Sequence, residues 1–344
     1  MRKPEKTYMR RFINFFKSWM LVIGMVIGAS SYLVYRACPV LHPAGPFLEK
    51  GIGLIQPVLL FTMLFISFCH VKPSQIRARQ WHWRGLLIQG GIFSALAVIV
   101  MLFPLSRARI PLESVMLCLI CPTATSCSVM THKLGGNMAT VVTYTILINI
   151  LTAVIVSLFV PLLYPEEGLD FAKAFALILA KVFPLLIMPL VAAWLVRYLM
   201  PRTHAWVLGL KDLPFFIWAV ALMLAIAVST RAIVHYEKSH LMLLWITLAS
   251  ALSCAFQFWI GKKIGKRDCI SSGQALGQKN TVFLIWLAYT FMDPILSIVG
   301  GLSSIWHHIF NSWQLAQLSK TTSYYEKTPH SGPAADGGLA HGGH

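Results

Sequence analysis

An all-α polytopic membrane protein of ten transmembrane helices is what this sequence predicts, and three observations predict it. The 344 residues are 57% hydrophobic and only 12% charged, with a mean hydropathy of +0.67, whereas a soluble domain carries about 25% charged residues. Apolar runs of spanning length, about 20 residues each, follow one another from end to end with short connections. The basic residues fall in those connections with a marked bias to one side. The net charge of +17 is therefore a membrane-surface pattern. The expected partner is the lipid bilayer, and nucleic acid is not expected as a partner.

Residues 1–17 read as a basic cytoplasmic N-terminus carrying Arg2, Lys3, Lys6, Arg10, Arg11 and Lys17. This start runs into an apolar stretch long enough to stay in the membrane, so no cleavable signal peptide is expected. Spans are expected at 18–36, 51–70, 84–104, 112–131, 138–164, 172–196, 212–230, 240–260, 270–290 and 293–314. Residues 18–315 thus form one ten-helix unit. The remaining 316–344, rich in Ser, Gly, Ala and His, read as a disordered tail. With the N-terminus in the cytoplasm, twenty Lys and Arg fall on the cytoplasmic side and seven on the other. Both termini are therefore expected to be cytoplasmic.

The acidic loop Glu166-Glu167-Gly168-Leu169-Asp170 divides the spans five and five. An odd number in each half makes the second half enter from the opposite face, a 5+5 inverted repeat. The fourth span of each half is a poor continuous helix. Span four contains Cys121-Pro122-Thr123-Ala124-Thr125-Ser126-Cys127-Ser128, where Pro122 lacks a backbone donor. Span nine contains Ser271-Ser272-Gly273-Gln274-Ala275-Leu276-Gly277-Gln278-Lys279-Asn280-Thr281. Interrupted polar segments at corresponding positions point to a midplane site. The candidate residues are Thr123, Thr125, Ser126, Cys127 and Ser128 on one side, and Gln274, Gln278, Lys279 and Asn280 on the other. For a single Ser or Thr the competing role is close helix packing.

Lys279 stands out because a Lys at bilayer depth costs about 2.5–3.5 kcal/mol on insertion scales. Lys181, in Ala180-Lys181-Val182-Phe183-Pro184, is a second cation in a span, either an anion counter-charge or a side chain that snorkels. The other signals are structural. The seven cysteines show neither a disulfide framework nor metal spacing and read as buried free thiols. Trp81, Trp83, Trp206 and Trp313 read as interface anchors. His307-His308 and the tail histidines complete no ligand set, so no metal or cofactor is expected.

The run Cys121 to Ser128, followed by Gly135-Gly136-Asn137, and the run Gly277 to Thr281 resemble the bile acid:sodium symporter family in its bacterial branch. Span count and orientation fit along nearly all of residues 15–315. The resemblance implies an inner-membrane secondary transporter. It has a panel domain (spans one, two, six and seven) and a core domain (three to five and eight to ten), with spans four and nine crossing at their breaks. It implies sodium-coupled uptake of bile acids or other organic anions by alternating access. Among ligand positions, Gln89 in span three and Thr145 in span five match, as do Gln278 and Asn280.

The departures from that pattern bear on mechanism. A span-nine glutamate shared by the family's two sodium sites aligns with Ala275, Gln274 being the nearest polar residue. A glutamine ligand aligns with Lys279, an asparagine with Ser128 and its neighbouring serine with Cys127. Like charges about 4 Å apart repel by roughly 4 kcal/mol at an effective dielectric of 20. Lys279 therefore stands against sodium coupling, as a tethered cation that either loads and releases a proton or stays charged beside an anionic substrate. The resulting expectation is a secondary active transporter of an organic anion, bile-acid-like or a small carboxylate. Alternatives are a proton-coupled transporter of the same fold, or an exporter of a metalloid or other anion using Cys121 and Cys127. An enzyme is not expected: Cys121 or Ser128 as nucleophile would lack a base, since His132 lies at the cytoplasmic mouth without a carboxylate. No residue pattern specifies the anion or an oligomeric state.

Overall fold

The computed structural model describes residues 23–104, 107–165, 168–210, 213–235 and 240–327. Among these residues the chain is helical, with no strand beyond one isolated bridge. In order, α1 spans 23–37, and α2 (Gly45–Cys69), α3 (Gln80–Leu102), α4 (Arg109–Ile120), α5 (Cys127–Lys133) and α6 (Met138–Leu163) complete the first half. The second half holds α7 (Phe171–Leu199), α8 (Pro201–Gly209), α9 (Leu213–Val234), α10 (His240–Gly265), α11 (Cys269–Gly277), α12 (Thr281–Phe291) and α13 (Ser297–Lys327).

Six stretches are long and apolar enough to cross a membrane: Pro39–Cys69, Gln80–Leu102, Met138–Leu163, Phe171–Leu199, Phe216–Val234 and Leu241–Gly277. The outward faces carry large apolar side chains, with Leu87 75% and Leu252 69% exposed. Such a surface suits lipid and not water. This is a helical membrane protein.

The other expected segments fall short of that criterion for separate reasons. The first begins in residues outside those described. The fourth is split into α4 and α5, of 12 and 7 residues. The ninth is split into α11 and α12, of 9 and 11 residues. The tenth, α13, is long enough at 31 residues, but a row of buried Ser, His and Asn side chains lowers its hydropathy.

Three expectations need correction. Residues 197–211 contain the helix α8 where a loop was expected, with Pro201 at its first position, where a missing N–H costs nothing. Helix α13 runs on to Lys327, past the expected boundary at 315, while residues 328–344 lie outside the described part. Trp81 is not an interface anchor: it is 3% exposed, 4.0 Å from His82 and 5.3 Å from Tyr144 between ring centroids. Helix α3 begins at Gln80 rather than 84, and that extra turn carries Trp81 into the bundle. Trp83, Trp206 and Trp313 are 55%, 65% and 51% exposed, as anchors would be. All seven cysteines are free, and Cys69, Cys118, Cys121, Cys127 and Cys254 are buried.

Helix α2 packs on α7 and α9, and α1 reaches α9 where Gly28 lies on the backbone of Met223. Helices α3, α4, α6, α10, α11 and α13 pack among themselves, and α6–α7 and α9–α13 contacts join the groups. The basic connections gather at one end. Arg79 pairs with Asp268 at 2.5 Å, Asn137 N–H donates to Ser271 Oγ at 2.9 Å, and Arg197 donates to Cys69 O at 2.6 Å. At the opposite end Glu113, fully buried, accepts from Arg109 at 3.0 Å and from Tyr164 Oη at 2.6 Å. The Arg231–Glu49 pair also lies there.

Candidate functional site

The two broken segments meet at their breaks. Helix α4 stops because Pro122 has no N–H, and Cys121 turns to an extended conformation (φ −52°, ψ 131°). Helix α11 stops at Gly277, with Gln278 extended (φ −91°, ψ 114°). Asn280 restarts the chain as the N-cap of α12, its side-chain oxygen accepting from Phe283 N–H at 3.2 Å. A Cβ at Gly277 would run into the ring of Phe258, so this end of α11 sits on α10 only as glycine.

Breaking two helices deep in the bundle frees backbone groups, and the two breaks pair with each other. Asn280 N–H donates to Pro122 O at 2.8 Å and Ala124 N–H to Gln278 O at 2.9 Å, forming an antiparallel bridge between Thr123 and Lys279. Thr123 Oγ1 donates to Ala275 O at 2.7 Å, and Cys121 Sγ donates to Asn280 O at 3.1 Å. Non-helical backbone at this depth is tolerated only when satisfied inside protein in this way.

Lys279 is 3% exposed and donates from Nζ to Leu119 O at 3.1 Å and to Cys121 O at 3.0 Å. These carbonyls end α4, where a helix has unpaired acceptors and partial negative charge. The ammonium therefore caps a half-helix with the charge a bound cation would otherwise supply. The buried thiols Cys118 and Cys254 line a small cavity together with it, and no ion pair among the described residues includes it. That cavity, with room for about one water, is also lined by Gln257, Gly277, Ser303 and His307.

The predicted site residues divide into groups. Thr123, Lys279 and Asn280 form the crossing itself. Gln89 is fully buried, donating to Gln257 Oε1 at 3.0 Å and accepting from Tyr144 Oη at 2.6 Å. Thr145 does not join them: its hydroxyl donates to Val141 O on its own helix at 3.0 Å, and its neighbour Tyr144 reaches Gln89 instead. Gln274 and Gln278 turn to α13, Gln278 donating to Gln274 and, at 3.4 Å, to Asn311, while Gln274 donates to Gln314. Just before α5, Thr125 is half-buried and Ser126 exposed, and Ser128, the second residue of α5, is buried. Cys127 lies 4.0 Å from Thr131 Oγ1, so Cys121 and Cys127 have separate partners. Among the described residues no three His, Cys, Asp or Glu are arranged to hold a metal ion. Lys181 is exposed, its Nζ 5.3 Å from the centre of the Phe291 ring.

Sequence reasoning missed Tyr144, Gln257, Ser303 and Asn311. The available signal was spacing: Ser303, His307, Asn311 and Gln314 recur every three or four residues, one helix face. No protein-family model matches the chain. No curated protein matches it.

Proposed function

We propose that this chain is an inner-membrane secondary transporter of an organic anion that works without sodium, Lys279 serving as a tethered cation at the crossing of its fourth and ninth spans. In this reading the ten apolar segments form a 5+5 inverted repeat with both termini cytoplasmic. The group α1, α2, α7 and α9 moves as a panel against the remaining helices. The observation that carries it is the pair of hydrogen bonds from Lys279 Nζ to Leu119 O and Cys121 O.

Carbonyls at a broken helix end are the natural ligands of a cation in a transporter, and here an ammonium already takes both. The other residues suited to sodium are engaged elsewhere: Gln89 with Gln257 and Tyr144, Thr145 with Val141. The cavity beside Lys279 has room for about one water, too little for an organic anion. The charge of Lys279 acts across the crossing, and direct access waits on movement of the panel.

Uptake of labelled organic anions, a bile acid and small carboxylates, into proteoliposomes tests this reading. Replacing sodium by potassium on both sides is expected to leave the rate unchanged. Strict sodium dependence would overturn the tethered-cation reading, and absence of uptake for every anion tried would count against the substrate class.

A further inference from the structure

We propose that a file of water molecules occupies the seam between α10, α11 and α13 and joins Lys279 to the basic end of the bundle. This deepens the proposed function, on which its use in transport rests, by giving the buried ammonium a route for exchanging a proton with one side of the membrane.

The seam begins at the cavity beside Lys279, where Cys118 Sγ and Ser303 Oγ lie 3.2 Å apart. From Ser303 the polar face of α13 continues through His307 and Asn311 to Gln314, at spacings of four, four and three. Ser303, His307 and Asn311 are 4%, 4% and 2% exposed, and Gln314 is half-buried. This face therefore lies against protein for three turns and reaches the surface at its last member. The amides of Gln278 and Gln274 bridge it from α11, at Asn311 and Gln314 respectively. Lys262 on α10 packs over Phe310 at 5.2 Å, placing the open end among the basic residues.

The polar groups of this seam outnumber the hydrogen bonds they make. Asn311 Nδ2 is buried without a hydrogen-bond partner in the chain, and His307 Nδ1 and, on α10, Ser253 Oγ are buried with only marginal contacts, to Ser303 and Cys118 respectively, that fall short of hydrogen-bond geometry. Desolvating such groups is unfavourable, and three of them along one seam next to a water-sized cavity are satisfied together by water making two to four bonds each. The seam contains amides, hydroxyls, thiols and an imidazole, and no carboxylate. With no carboxylate it offers little to a hard cation such as Mg2+ or Ca2+, and among the described residues no three His, Cys, Asp or Glu are arranged to hold a metal ion.

Hydroxyl-radical footprinting of the full chain in detergent, in 18O-labelled water and read by mass spectrometry, tests this without any transport step. Cys118 on the seam and Cys127 off it are 2% and 0% exposed, so burial alone predicts equal protection. The water file predicts that Cys118 takes up label at least about fivefold faster than Cys127, because radicals form from water lying beside it. Asn311→Leu, which plugs the seam, is expected to bring that ratio to near one, and Asn311→Gln to retain it. Equal labelling of the two thiols in the parent chain, or a ratio unmoved by Asn311→Leu, overturns the proposal. Misfolding of Asn311→Leu would show as a rise at Cys127, and Ser303→Val then carries the same comparison. A positive result with no anion uptake would leave the water file standing and remove the transport reading.

Discussion

Lys279 and Leu119 are 160 residues apart, yet the ammonium of the first donates at 3.1 Å to the backbone carbonyl of the second. A side chain on one broken segment thus closes the C-terminal end of the half-helix α4 on the other. The charge and the helix end it neutralises are each unfavourable alone at this depth, and they stabilise one another.

Replacing Lys279 by Met separates the two. The Leu119 and Cys121 carbonyls lose their donor, at a cost of about 1–3 kcal/mol for each buried group left unsatisfied. Melting temperature in detergent is expected to fall. An unchanged or raised value would show that desolvating the ammonium outweighs the two hydrogen bonds.

Thr123→Val keeps the shape of the side chain and removes the donor to Ala275 O. The expected loss is about 1–2 kcal/mol, read as a lower denaturation midpoint. Thr125→Val, at a half-buried position outside the bridge, should change stability by less than about 0.5 kcal/mol. Equal effects at the two positions would remove Thr123's tie from the account of the crossing.

Gly277→Ala puts a methyl group into the Phe258 ring. Overpacking of this kind costs about 1–3 kcal/mol. A second change, Phe258→Leu, should recover part of that loss, giving a coupling energy of at least about 0.5 kcal/mol in a double-mutant cycle. Strict additivity would place the strain elsewhere.

Glu113→Ala at the other end of α4 leaves Arg109 partly buried and removes the acceptor of Tyr164. Breaking one partner of a buried pair costs about 3–5 kcal/mol, more than is expected of Thr123→Val or Gly277→Ala. Replacing Arg109 and Glu113 together by Leu should be milder than Glu113→Ala alone, and thermal melts of the three variants check the order.

The elements most legible in the sequence were those with a local cause. Pro122 and the run Gly277 to Asn280 break helices through their own backbone chemistry, and both breaks lie within a residue or two of where they were expected. Trp81 was misread because belt residues are recognised by position along a span, and helix α3 starts one turn earlier than hydropathy suggests. Thr145 and Tyr144 are adjacent, and hydropathy places the span but not its rotation, so it could not tell which of the two reaches Gln89. Helix α8 was lost because nine residues of mixed polarity carry too little pattern to separate from a loop.

The sequence by itself determined that the chain is a helical membrane protein, where its apolar segments lie, and that two of them are interrupted around a cation. Hydropathy, proline geometry and the cost of a buried charge act within a few residues of chain. Only the tertiary structure decided what Lys279 does with its charge, because its partners are carbonyls, which every residue carries and no sequence pattern marks. The same holds for Gln274 and Gln278. Whether an amide faces the crossing or α13 depends on the rotation of α11, which is held by close contacts with α10 such as those of Gly277 with Phe258 and of Gly261 with Ser272.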